Sequence, residues 1–593
     1  MKRYCFLLII ATIFFSMVSC EKDFLQIPST TGTTTIATTF STTVNANNAI
    51  AAAYANSLIQ GLPYSGLDHG TIASLAGELS WGYNWHMAYI ITNTGENANG
   101  QSEDNFDGNY SYIRQDYLIY ENIDNVTDMD EATKNYVKGE MLGLIAYRYM
   151  GMFIRYGGMP VVTGSLTSDD NLNIPRVPLQ DLEDTILSLC NRAESLLPNS
   201  WSAQYAGRLT KGVALAIKAR TLMFAARPLF NSPNPPLSLG SNNNLICFGT
   251  TDPQRWQDAI TACNSVIEWA AANGYQLINT GGGTNVPNVN AFDDYGTATS
   301  TPNNSEVLLA YKNINPYQNG ITKYFCISQL YYNAYCGNGD AYDMDNYGME
   351  TNFLENYYKA DGTNQTWPGQ GASNARPATE YFQKTSEMEP RFLADNIMHA
   401  SNALNNPGDQ GWNAANCDRG VNQQGSAGKG DCNSVKFHYH AGSRAWFEFP
   451  LFRMAEFYLD LAEAYNETGN AAQALVNLNI IHNRAGLPSV TETGQSALRS
   501  IIQREWAIEY YNENQRYYLL KHWKSPDIGN GLIGGPRREF QFTTNGQNVQ
   551  VPSNLLTYYD DVVFQAYWSP KEYLDPIPQS EINKRILVQN PGY

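Results

Sequence analysis

Stretches of helix-spaced apolar residues, each stopped by glycine or proline, alternate along this chain with long polar segments. A period of 3.6 that ends on such punctuation specifies an amphipathic helix with a defined terminus. Residues 132–156 carry the pattern and stop at Gly157-Gly158-Met159-Pro160. Residues 178–197, 210–227 and 253–272 repeat it, with Pro228 closing the third and Pro253 near the first turn of the fourth. A last block, 451–486, reads as two short helices. Leu461, Ala462 and Tyr465 share a face of the first, and the chain then turns at Glu467-Thr468-Gly469-Asn470. Asn470 stands as N-cap of the second, which carries Ala471, Ala474, Leu475, Leu478 and Ile481 before Gly486 and Pro488 end it. Strand-like runs are few: 306–311 and 435–440. The expected fold is therefore mostly α, with scattered helix hairpins, little β and no clean repeat period.

Between the helices lie 228–252, 279–305 and 360–435, dense in Asn, Gly, Pro, Ser and Thr. Loops of this length in a compact protein usually carry function or are disordered. With 593 residues, 43% hydrophobic and 16% charged, the chain can bury a large core and is not disordered in composition. It also holds 39 Tyr and 11 Trp, side chains with an apolar face and a polar tip. They fit either a Tyr-rich core or a surface on which flat, weakly polar ligands stack. The net charge of −18 repels phosphate backbones and anionic lipid headgroups. Nucleic acid is excluded as a partner, and any membrane attachment must be covalent or through another protein.

Such an attachment is written at the N-terminus. Lys2 and Arg3 precede an apolar run from Phe6 to Val18, which ends in Met17-Val18-Ser19-Cys20. The run is too short to cross a bilayer as a helix, which takes about 20 residues. It fits the core of an export signal. Small residues followed by cysteine resemble a bacterial lipobox, in which Cys20 becomes the first mature residue and takes acyl chains, palmitate among them. Two or more chains anchor stably where one does not. The charged trio Glu21, Lys22 and Asp23 resembles the surface-export signals of outer-membrane lipoproteins, and the Thr-rich stretch 28–43 reads as a tether.

Catalytic signatures are missing from the sequence: it has no GxSxG, HExxH or GxxxxGK[ST]. Glu505 and Glu509, four apart on a helix among Arg499, Arg504 and Arg516, read as ion-pairing residues rather than as a hydrolytic pair. Metal sites fare no better. His438 and His440 share one side of a candidate strand without further ligands nearby. Asp343, Asp345, Gly348 and Glu355 approximate a calcium loop, but Tyr347 and Leu354 occupy ligand positions. No cofactor or metal is therefore expected. Seven cysteines remain after cleavage. Cys190 and Cys263 sit in helical patterns as small buried hydrophobes, Cys417 and Cys432 could pair across a polar loop, and the odd count beside Cys20 leaves at least one thiol free.

The aromatic loops are the stronger candidates. Residues 81–89 hold Trp81, Tyr83, Asn84, Trp85 and His86, and residues 324–347 hold Tyr324, Tyr331, Tyr332, Tyr335, Tyr342 and Tyr347 among Asn, Asp and Gly. A sugar ring has an apolar C–H face that an aromatic ring covers and a rim of hydroxyls that Asn, Asp and Gln satisfy. A polar group left unpaired in such a site costs about 1–3 kcal/mol, which creates selectivity. The expected ligand contacts are Trp81, Tyr83, Asn84, Trp85, Tyr331, Tyr332 and Tyr335.

Four segments together resemble the SusD/RagB family of outer-membrane nutrient-binding lipoproteins. They are DFLQI at 23–27, the hairpin at 462–488, the helix bearing Arg504, Glu505, Glu509, Glu513, Arg516 and Trp523, and the tail YLDPIPQSEINKRILVQNPGY at 573–593. Leu519-Leu520-Lys521-His522-Trp523 departs from the family's Asp-Leu-x-Arg-Trp and is expected to lose an ion pair there. The resemblance implies a helical fold with tetratricopeptide-like hairpins and a ligand site assembled from loops in these same regions. It implies a SusC-like TonB-dependent transporter as partner, whose mouth the lipoprotein covers like a lid. Ligands are glycans in most members and peptides in some, and the protein is not an enzyme. A peptide-binding RagB-like uptake lipoprotein is the first alternative, and a surface glycosidase and a purely structural lipoprotein are the weaker ones. The expected organisation is a leader, 1–19; a lipid-anchored tether, 20–43, on the outer surface of the outer membrane; and one SusD-like unit, 44–593. Its N-terminal half covers about 44–230 and its C-terminal half about 231–593.

Overall fold

The computed structural model describes residues 35–59, 72–80, 84, 86–313, 349–397, 433–434, 436, 447–545 and 555–593. Its longer helices are α1 (Thr43–Ile59), α2 (Phe106–Asn122), α3 (Glu131–Tyr156), α4 (Leu179–Leu196), α5 (Lys211–Ala226), α6 (Gln254–Ala272) and α7 (Ala291–Ser300). Then come strands β1 (Val307–Asn313) and β2 (Phe447–Arg453), helices α8 (Met454–Glu467), α9 (Ala471–Arg484), α10 (Gln495–Glu509) and α11 (Arg516–Trp523), and strands β3 (Gly535–Thr544) and β4 (Leu555–Ala566).

The four expected helices of the first half are α3 to α6, within a residue or two of the boundaries read from the sequence. The Asp130 carboxylate caps α3 by accepting the Thr133 N–H at 2.9 Å, and Gly157, at φ +83°, ends it. Consecutive helices pack on one another: α3 on α4, α4 on α5, α5 on α6, α6 on α8, and α8 on both α9 and α10. Small residues permit the close approach. A Cβ on Gly212 of α5 would lie 2.0 Å from Cζ3 of Trp269 on α6, so the indole occupies the space that any other residue would need. The hairpin α8–α9 is the one the sequence specifies, with the Asn470 side chain accepting the Gln473 N–H at 3.2 Å. Cys190, Cys247 and Cys263 are free and buried. Within the Thr-rich stretch, Thr35 caps a helical turn, Ile36–Thr39, and Phe40 is buried.

Two cores result. The larger lies between the stacked helices; the smaller gathers Leu79, Met349, Phe353, Tyr357, Tyr381, Phe392, Tyr511, Phe540 and Tyr558 under the β3–β4 hairpin. Several fully buried tyrosines are spent in these cores, among them Tyr149, Tyr156, Tyr357, Tyr381 and Tyr511.

The strands correct the sequence reading in three places. Residues 451–453, expected to open a helix, end β2, which pairs antiparallel with β1 from Val307↔Arg453 to Asn313↔Phe447. Arg453 is drawn into the sheet because its guanidinium is needed in a buried charge cluster. In the expected strand 435–440, Lys436 is a turn residue; the neighbouring Asn433–Ser434 pair with Asn396–Ile397, and 437–440 lie outside the described residues. The long hairpin β3–β4, joined at its edge by Arg376–Pro377, was not anticipated. Its alternation is blurred: Arg537 is buried and Leu556, Val562 and Val563 are exposed, because charge pairing rather than hydropathy decides what faces inward.

Candidate functional site

The floor of the site forms where two distant segments meet. Leu79 pairs with Met349 in an isolated antiparallel bridge, and both side chains are fully buried in the smaller core. The Glu350 N–H reaches the Glu78 carbonyl at 3.4 Å. In sequence, the aromatic segment 81–89 starts two residues after this bridge, and 324–347 ends two residues before it. One backbone pairing thus lies at a flank of each aromatic segment in the chain. A second pairing, Asn313↔Phe447, joins the residues that precede and follow the segment 314–446 in the chain.

Beneath the Leu79–Met349 bridge lies a buried polar cluster. Glu78 Oε2 accepts the Asn512 N–H at 2.6 Å, and Arg537 Nη1 donates to Glu350 Oε2 at 3.0 Å. The Arg516 guanidinium carbon lies 4.9 Å from the Phe353 ring centre. Burial pushes the Glu78 carboxyl up to about 7, partly offset by Arg516, and burial brings Arg516 down to about 10. Asn512 holds a left-handed backbone, φ +57°, and its side-chain oxygen and nitrogen both lack hydrogen-bond partners. So do Nε and Nη1 of Arg516 and Oε1 of Glu78. Asparagine tolerates this conformation better than most residues, and a buried polar atom without a protein partner carries a desolvation cost. The sequence named Arg516 among the ion-pairing residues and by resemblance, and missed Glu78, Asn512 and Arg537. The available signal was the turn Tyr511-Asn512-Glu513-Asn514 after α10, since asparagine tolerates left-handed φ better than most residues.

Behind this floor stands a charge network that absorbs the two glutamates considered as a hydrolytic pair. Arg391 Nη1 reaches Glu505 at 2.7 Å and Glu509 at 3.1 Å, and Arg453 reaches Glu509 at 2.6 Å and Glu513 at 2.7 Å. Arg484 also contacts Glu509, His482 Nδ1 lies 2.8 Å from Glu505, and Lys436 lies 2.7 Å from Glu513. Burial alone would raise both carboxyls. Arg391 and His482 instead hold Glu505, and Arg484, Arg453 and Arg391 hold Glu509, down at about 2. Ion pairing is as the sequence indicated, but the partners are corrected. Arg499 pairs with Glu467, Arg504 donates to the Asn356 and Tyr357 carbonyls, and Arg516 faces Glu78. In the segment 519–523, where Leu519 and His522 stand at the family's Asp and Arg positions, Lys521 Nζ makes a different pair, lying 3.0 Å from Asp575 of the C-terminal tail, both buried. The network's arginines come from segments far apart in sequence, which no local spacing reveals.

Of the expected ligand contacts, Asn84 is exposed beside this floor in the chain. Trp81, Tyr83, Trp85, Tyr331, Tyr332 and Tyr335 lie outside the described residues, as do Cys20, the paired-cysteine loop, His438, His440, Asp343 and Asp345. Glu355 is described and pairs with Arg538. Among the described residues, no group of three His, Cys, Asp or Glu side chains could hold a metal ion.

Residues 305–593 match the SusD family, and residues 26–223 match a family described as starch-binding associating with outer membrane. The two matches span more than four fifths of the chain. The chain belongs to the SusD/RagB family. Solved SusD-like structures share its fold over nearly their whole length. A SusD-like protein from Bacteroides fragilis is 24% identical, with a TM-score of 0.71 over 94% of this chain and 98% of that one. A SusD-like carbohydrate-binding protein, also from Bacteroides fragilis, is 18% identical, with a TM-score of 0.65 over 93% and 99%. A laminarin-binding SusD-like protein is 18% identical, with a TM-score of 0.55 over 93% and 100%. Among curated proteins none matches significantly. The SusD-like fold is helical with tetratricopeptide-like hairpins, of which α8–α9 is one. Among the described residues, no helix is long and apolar enough to cross a membrane.

Proposed function

We propose that this SusD-like protein is a non-catalytic lipoprotein that captures glycans at the cell surface and delivers them to a SusC-like TonB-dependent transporter. The observation that carries the reading is the Leu79–Met349 bridge. It lies at a flank of two segments in the chain, each rich in Tyr or Trp with Asn interspersed, above a floor with unspent hydrogen-bonding capacity. Stacking faces beside polar groups suit a sugar, whose two kinds of surface they complement. The carbohydrate-binding and laminarin-binding relatives support the same ligand class. Glu505 and Glu509 are fully buried and committed to arginines, which supports binding without hydrolysis at that pair.

On this reading residues 1–19 are removed, acyl chains on Cys20 hold the protein on the outer surface of the outer membrane, residues 20–43 are the tether, and 44–593 form the binding unit. Trp81, Tyr83, Asn84, Trp85, Tyr331, Tyr332 and Tyr335 contact the ligand. Calorimetric titration of the mature protein with a panel of polysaccharides tests the assignment. At least one glycan should bind, and Trp81→Ala and Trp85→Ala should each weaken it about tenfold, the equivalent of about 1.4 kcal/mol. Unchanged affinity in both variants removes these residues from the site, and release of reducing ends from the bound glycan refutes the non-catalytic reading. Labelling with a palmitate analogue should mark the wild-type protein and not Cys20→Ala.

A further inference from the structure

A cavity of about 360 Å³ opens where α10 crosses the C-terminal ends of α8 and α11, and its described lining includes none of residues 84 and 86–89. Trp256 of α6 and Trp523 of α11 form part of its wall, with Pro228 and Pro526 beside them. The rest of the lining is largely polar, with Glu463 and Asn466 from α8 and Ser500 and Gln503 from α10. Its volume lies at the low end for small-molecule sites, roughly 300–1,000 Å³, and suits one ring rather than a chain.

The charges in the wall are already spent. Glu463 pairs with Arg227 at 2.8 Å and accepts the Trp523 indole N–H at 2.7 Å, and Glu467 pairs with Arg499 at 2.6 Å. A cationic or anionic ligand would therefore find no unpaired countercharge. Hydrogen-bonding capacity is not spent. Asn466 is 1% exposed; its Nδ2 donates to the Gln495 carbonyl at 3.0 Å, while its Oδ1 has no partner. A buried acceptor left dry is costly, and a hydroxyl donor from a ligand would relieve it. The combination wanted is a neutral ring with one apolar C–H face for tryptophan and hydroxyl donors on its rim.

We propose that this cavity is a second saccharide site, taking a single pyranose, between α6, α8, α10 and α11 and independent of the loop-borne site. Saturation-transfer NMR on the full mature protein, with D-glucose, D-galactose, D-mannose and N-acetyl-D-glucosamine as probes, tests it. At least one sugar should show saturable transfer. Ser500→Trp, at an exposed helix position beside the opening, should weaken that binding about tenfold or more, as should Trp523→Leu. Trp81→Ala and Trp85→Ala should leave it unchanged. No saturable transfer from any of the four sugars, or binding that Ser500→Trp leaves intact, overturns the proposal. Binding lost in the loop variants but kept in Ser500→Trp would assign the sugar to the loops and leave the proposed function standing.

Discussion

Glu509 is fully buried and touches Arg391, Arg453 and Arg484, three residues from three different segments. Its carboxylate stays ionised because those guanidinium groups replace the water it lost. Removing it leaves several buried positive charges short of their partner, which is far worse than never having built the pair. Glu509→Ala should destabilise the protein by about 3–5 kcal/mol, read as a shift in the urea unfolding midpoint at neutral pH. A loss near that of a surface pair, below about 1 kcal/mol, would mean the network adds no stability. The sequence identified this glutamate as an ion-pairing residue from its helix and its charge. It could not identify Arg391, Arg453 and Arg484 as the partners, because contacts between such distant segments leave no local pattern.

At the scale of elements, the helices follow from what each segment says about itself. The stop at Gly157, the cap at Asn470 and the periodicity of α3 to α6 are all local properties, and they were legible. Contacts between helices are different. Gly212 is the second residue of α5, and in helices alanine is ordinarily a better former than glycine. Here the Trp269 indole lies against its Cα, and an added Cβ would meet it at 2.0 Å. Gly212→Ala should therefore reverse the usual sign and lower the melting temperature, at an overpacking cost of about 1–3 kcal/mol. An equal or raised melting temperature would show that α5 and α6 can slide apart freely. The β3–β4 hairpin makes the same point from the other side. Its inward face includes Arg537, which reaches Glu350, so a hydropathy pattern alone concealed the strand.

Across the whole molecule, buried carboxyls fall into two opposed groups. Burial pushes Glu78, Glu103, Asp395 and Asp575 up to about 7, against partners that only partly offset it. Each binds its proton more tightly folded than unfolded, so its contribution is complete below pH ~4 and is lost as pH rises through about 7. Glu505 and Glu509, held at about 2, behave in the opposite way, contributing above pH ~4.5 and failing only as pH falls toward 2. His522, kept neutral in its buried site and lowered to about 3, adds to the acid-side loss. The melting temperature should therefore decline from roughly pH 5 to pH 8.5 and also fall below about pH 4. Scanning calorimetry across that range decides it, and a melting temperature climbing steadily to pH 8.5 would be incompatible with these protonated carboxyls. Asp575 also explains the C-terminal tail as a clasp. Its N–H donates to the Arg155 carbonyl at 2.9 Å and its carboxylate meets Lys521, while Asn590 and Arg176 tie the last residues to the end of α3.

The amino-acid sequence by itself determined the helical class, the hairpin at 454–484, the family and the two aromatic segments on which the proposed site rests. These are properties of short windows: period, caps, punctuation and contiguous motifs. Only the tertiary structure decided that Leu79 meets Met349, which arginines neutralise Glu505 and Glu509, that Lys521 pairs with Asp575, and that Trp256 and Trp523 share a cavity. Each of these joins residues far apart along the chain. Their energy comes from desolvation and contact that exist only once the helices have packed, and so no window of sequence encodes them.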